Sequence, residues 1–107
     1  MKLLFAIVSS EDTNALVNAL IKNKFSVTKL ATTGGFLKVG NTTLLLGVAD
    51  DRVNEALKLI EGNCKSRKEI VPIVGAGDIG MFSAQSMEVN VGGATVFIVN
   101  VEDLKKM

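Results

Sequence analysis

Three features of the sequence predict an α+β sandwich of the ferredoxin-like class. Two apolar, β-rich segments each lead into an amphipathic helical one; a glycine-rich loop joins two central strands; and two alternating segments flank Gly92-Gly93 near the end. The resulting order is strand, helix, strand, strand, helix, strand, with an extra late hairpin. The 107 residues fit a single domain over 1–107, which would bury about two thirds of its unfolded surface, enough for a core without staples.

Leu3 to Val8 is apolar throughout and reads as a buried strand. It is shorter than the roughly 7 to 15 apolar residues of a secretory signal, and Glu11-Asp12 follow at once. Ser10 is the predicted cap of the first helix, because a hydroxyl there accepts from a free backbone N–H, and the carboxylates of Glu11 and Asp12 suit the positive helix end. Leu16, Ala19 and Leu20, with Val17 and Ile21 alongside, form the apolar stripe, and Asn23 between two lysines is the stop. Phe25 to Thr32 alternates as a strand, and Thr42 to Ala49 forms the next one after the glycine loop. Asp50 or Asp51 caps a second helix, in which Val53, Ala56, Leu57 and Ile60 share one face, and Gly62 ends it.

The pattern is weaker beyond. Lys65 to Lys68 reads as a solvated basic turn, and Ile70 to Val74 as strand-like despite Pro72, which removes a ladder donor and marks an edge or the entry to a loop. Gly75 to Gly80 breaks all periodicity. Met87 to Val91 and Ala94 to Val101 alternate around Gly92-Gly93, a two-residue hairpin signal, and Glu102 to Met107 is a polar, frayed end. With both helices on one face, the other face of the sheet is left open. Thr43 to Val48 and Ala94 to Val99 are apolar on both faces, so a cover is expected, from a second copy of the chain or from the segment Gly75 to Ser86.

Charge and composition narrow the functions. Twelve basic and 11 acidic residues give a net charge of +1, which provides no long-range field for nucleic acid or an anionic membrane. No apolar run approaches the roughly 18 residues of a membrane span. One cysteine, Cys64, excludes an internal disulfide and fits a reducing cytoplasm; with no histidine as its base it is a poor nucleophile, and no metal-ligand constellation is apparent.

The chemistry concentrates between Lys29 and Val53. Thr32-Thr33-Gly34-Gly35 and Gly40-Asn41-Thr42 bracket Phe36-Leu37-Lys38-Val39, an island too apolar for an ordinary turn. Glycines let a ligand approach the main chain while Phe36 offers a flat apolar surface, a pairing suited to a nucleotide. By strand parity, Ser26 and Thr28 share a face, as do Asn41, Thr43 and Gly47; coincident faces would outline a pocket, with Gly47 leaving a gap for a ring or merely clearing a neighbour. Gly35 to Thr42 has the spacing of a phosphate-binding P-loop, but Asn41 stands where the lysine belongs and a strand follows instead of a helix.

KLATTGGFLK, GNTT, the GV-x-DDRV after it and VGGATVF near the end resemble the cyclic di-AMP receptor proteins, PII-like signal-transduction proteins of Gram-positive bacteria, over Met1 to about Val101. The resemblance implies a ferredoxin-like (PII-like) subunit in a homotrimer, cyclic di-AMP held in clefts between subunits, no cofactor, no catalysis, and loops that reorder to signal to a downstream protein. It places ligand contacts at Thr28, Phe36, Leu37, Asn41 and Gly47. Phe36 would cover an adenine, Asn41 would read a base edge, Thr28 would meet phosphate oxygens and Leu37 would wall the pocket. Relatives carry an arginine where Ser26 stands, and Lys24 is the nearby residue able to compensate; the ending DLKKM lacks the aromatic, glutamine-bearing tail of the family.

Overall fold

The computed structural model describes residues 1–30, 40–72 and 86–107. Strand β1 (Lys2–Ser9) leads into helix α1 (Ser10–Lys22), then β2 (Val27–Leu30) and β3 (Asn41–Val48). A 3-10 turn over Asp50–Arg52 opens α2 (Val53–Asn63), followed by β4 (Arg67–Pro72), β5 (Ser86–Val91) and β6 (Ala94–Asn100). One antiparallel sheet has the order β2-β3-β1-β6, and β4 and β5 form a separate antiparallel pair. With β6 as the fourth strand, the main sheet and its two helices are consistent with a ferredoxin-like fold, into which the β4–β5 arm is inserted ahead of the last strand.

Even-numbered side chains of β1 and β3 make the core. Leu4, Ala6 and Val8 meet Leu44, Leu46 and Val48 on the face that receives Leu16 and Leu20 of α1 and Ala56 and Ile60 of α2. Each buried leucine removes enough apolar surface to contribute about 1.5 to 3 kcal/mol before entropy is subtracted. The odd-numbered face is uncovered: Phe5, Ile7 and Leu45 are half-buried, while on β6 Phe97 is 56% and Val99 43% exposed. Ile98, on the opposite face of β6, is also exposed, so this edge strand is apolar and accessible on both sides. The alternative cover considered from sequence, Gly75 to Ser86, lies outside the described residues except for its last residue.

Several local expectations shift. Ser9, not Ser10, caps α1: it ends β1 with extended backbone and its hydroxyl accepts from the Glu11 N–H at 3.3 Å, while the Ser10 hydroxyl turns to that of Thr42 at 3.1 Å. Neither Asp50 nor Asp51 makes a side-chain cap; both lie in the 3-10 turn, and α2 continues past Gly62 to Asn63. The larger change is at Gly92-Gly93. Both glycines have positive φ, 81° and 75°, as a tight hairpin requires, yet the strands they join do not pair with each other. β5 pairs with β4 and the more apolar β6 adds to β1, placing Phe97 opposite Phe5 and Val99 opposite Leu3. The late hairpin is therefore β4–β5, and the glycines form the corner between arm and sheet.

Candidate functional site

Antiparallel register decides which polar residues can meet. Thr28 stands opposite Leu45, Leu30 opposite Thr43, and Ser9 opposite Asn41, so Thr28, Asn41, Thr43 and Gly47 all belong to the uncovered face. Extending the β2–β3 ladder by one residue brings Ser26 level with Gly47. Thr28, Ser26, Asn41 and Gly47 are exposed, whereas Thr43, flanked in register by Ile7 and Leu30, is nearly buried. A Cβ built on Gly47 would meet only the Met1 Cε atom, at 4.0 Å. The missing side chain thus leaves open space above the sheet beside Leu3, its neighbour on β1.

The start of β3 is tied to the start of α1. The Ser10 N–H donates to the Gly40 carbonyl at 2.7 Å, and the Ser10–Thr42 hydroxyl contact reinforces the join. Here Ser9, Glu11, Gly40 and Asn41 face Asn90, Val91 and Gly92 across a polar cleft of about 460 Å³. Asn41 therefore belongs both to the uncovered sheet face and to this cleft. A larger recess, about 570 Å³, lies between the end of α2 and β6 and is lined by Leu57, Ile60, Cys64 and Val96. The Cys64 thiol there is buried, and that burial pushes its pKa up to about 11, so the thiol is no ready nucleophile.

Lys24 and Ser26 sit at the α1–β2 corner. Lys24 adopts φ 63°, a left-handed conformation uncommon for a lysine, and its side chain is exposed. The corner is held from below: Arg52 donates to the carbonyls of Asn23 at 2.8 Å and Lys24 at 3.4 Å, and its guanidinium lies 3.9 Å from the centroid of the buried Phe25 ring. Phe36 and Leu37, the apolar residues assigned to the ligand from sequence, lie outside the described residues.

A family model described as cyclic-di-AMP receptor matches residues 1–107, the whole chain. The chain belongs to the cyclic di-AMP receptor family. It also resembles a crystal structure of a functionally unknown protein from Pediococcus pentosaceus ATCC 25745, with 36% identity, a TM-score of 0.74, and coverage of 99% of this chain and 96% of that one.

Within this member of the cyclic di-AMP receptor family, the residue that sequence reasoning missed is Arg67. It lies on β4 rather than in a solvated turn, and its guanidinium reaches Asp12 through both terminal nitrogens, at 3.2 and 3.3 Å, and Glu11 at 3.2 Å. The hydrogen bond to Asp12 is the main influence raising the pKa of Arg67, and Asp12 is only 9% exposed. Four consecutive polar residues gave no sign of this role, because its partners stand 55 and 56 positions away on α1. No helix among the described residues is long and apolar enough to cross a membrane.

Proposed function

We propose that the chain is a non-enzymatic signalling protein that binds cyclic di-AMP in clefts between the subunits of a homotrimer and signals to a downstream protein by loop rearrangement. The observation that carries this reading is the common face of Thr28, Asn41 and Gly47, three of the five positions that the sequence resemblance assigns to the ligand. An exposed threonine hydroxyl is suited to a phosphate oxygen, an amide to the edge of a purine, and a strand glycine to the flat approach of a ring. Phe36 and Leu37 supply the apolar cover in this reading. The accessible apolar surface of Phe97, Val99 and Leu45 favours a second copy as the cover of the sheet, which brings the PII-like trimer and the inter-subunit cleft together.

Calorimetric titration tests the assignment. Saturable binding of cyclic di-AMP near one per subunit is expected, weakened by Asn41→Ala or Phe36→Ala while sedimentation still reports the trimer. No heat and no thermal shift at millimolar ligand rejects it.

Ser26 favours a second reading, a PII-like trimeric interaction scaffold whose nucleotide specificity is lost or altered. A charge-assisted hydrogen bond from an arginine contributes about 1.5 to 3 kcal/mol, roughly tenfold to a hundredfold in affinity. Ser26→Arg separates the two: a large gain in cyclic di-AMP affinity marks a weakened receptor site, and no gain marks a repurposed one.

A further inference from the structure

The β4–β5 arm has a small base. Its six-residue strands pair with each other and not with the main sheet, and an isolated two-stranded ribbon is marginally stable in water. Arg67 stands at the root, opposite Val91 in the ladder. Its guanidinium forks onto Asp12 and Glu11, donates to the Lys65 carbonyl at 3.2 Å, and has Glu69 alongside at 3.7 Å. The corner is fitted around this group: a Cβ on Gly92 would run into the Lys65 carbonyl oxygen and lie 2.7 Å from Arg67 Nη1.

The clasp and the cleft share residues. Glu11 takes Arg67 and lines the cleft that contains Asn41; Val91 pairs with Arg67 and lines the facing wall with Asn90 and Gly92. We infer that Arg67 is a positioning residue for the ligand site: by clasping Glu11 and Asp12 it fixes the wall of Asn90, Val91 and Gly92 at a set distance from Ser9 and Asn41. This rests on the reading that cyclic di-AMP occupies the Asn41 region. Arg67 itself touches no ligand in this scheme. Its planar fork suits both carboxylates, since two terminal nitrogens hold Asp12 and one of them also holds Glu11, a geometry that a lysine ammonium reproduces only in part.

The test titrates cyclic di-AMP into the full chain, wild type, Arg67→Gln and Arg67→Lys, by calorimetry, with amide exchange followed in β1, β3, β4, β5 and Gly92. The wild type should bind and gain protection at Val91 and Gly92. Arg67→Gln should bind about tenfold more weakly, within the usual range of coupling between sites, with faster exchange in the arm and unchanged exchange in β1 and β3. Arg67→Lys should recover part of the affinity, and serves as the readable variant if the glutamine protein does not fold. Loss of a staple that merely stabilised the fold would lower the melting temperature and leave the affinity of the folded protein unchanged. Variants that bind as tightly as a binding wild type, with or without that melting change, overturn the inference alone. A wild type that does not bind overturns the proposed function and this inference with it.

Discussion

Replacing Gly47 with valine separates folding from binding. Gly47 lies within β3 without a positive φ, so valine adopts its backbone without strain, and the added Cβ meets Met1 Cε at ordinary van der Waals distance. Removing a glycine from a strand interior recovers about 0.5 to 1 kcal/mol, and a branched side chain beside Leu3 adds a little apolar contact. The ligand-free protein should therefore melt at the same temperature or a few degrees higher, about 4 to 8 °C for each kcal/mol in a domain of this size. Binding should respond in the opposite sense. A purine lying against the bare backbone would be lifted by the valine methyls and lose most of a stacking-sized contact, about 1 to 3 kcal/mol, or roughly fivefold to a hundredfold in affinity. Thermal melts with and without cyclic di-AMP, and calorimetry on both proteins, read the two effects separately. Unchanged affinity at position 47 would show that the gap is not part of the ligand site. A large fall in ligand-free stability would show that the space above Gly47 is already occupied in the folded assembly.

Lys24→Gly at φ 63° should stabilise the chain by about 0.5 to 1 kcal/mol in urea denaturation, since relief of the left-handed strain of about 1 to 2 kcal/mol exceeds the entropic cost of glycine; a destabilised variant would show that Lys24 makes a compensating contact. Cys64 gives an alkaline dependence. Burial raises its folded pKa from 9.0 to about 11, so the thiol ionises only in the unfolded chain between those values; stability is complete below about pH 9 and falls as pH rises toward about 11, at ~1.4 kcal/mol for each pH unit at most. Relative to a Cys64→Ala reference, denaturation curves that stay parallel across this window would contradict the burial argument.

Much of the sheet was legible before the structure because its signals are local. Leu3 to Val8 is a continuous apolar run, Thr42 to Ala49 is β-branched and leucine-rich, and the helix stripes at Leu16-Leu20 and Ala56-Ile60 are set by period, so their inward faces follow from side-chain direction alone. The common face of Thr28, Asn41 and Gly47 was legible for the same reason once two strands were paired. Parity fixes sides, and antiparallel register keeps them. The role of Ser9 was missed because two adjacent serines carry the same capping chemistry, and only the chain's turn from extended to helical backbone distinguishes them.

Residue order alone settles the alternation of elements, their buried faces and the resemblance carried by the glycine-rich stretch. Pairing partners came from the tertiary structure. Gly92-Gly93 permits a tight hairpin, but backbone permission does not choose partners: β6 adds Phe97 and Val99 beside Phe5 and Leu3 on β1, and β5 is left to pair with β4. The same holds for Arg67, whose charge was plain in the sequence while its purpose depended on carboxylates more than fifty residues away. Propensity and periodicity act over a turn or a strand, whereas the Arg67 clasp and the cleft at Asn41 exist only after chain closure brings α1, β3 and the β4–β5 arm together.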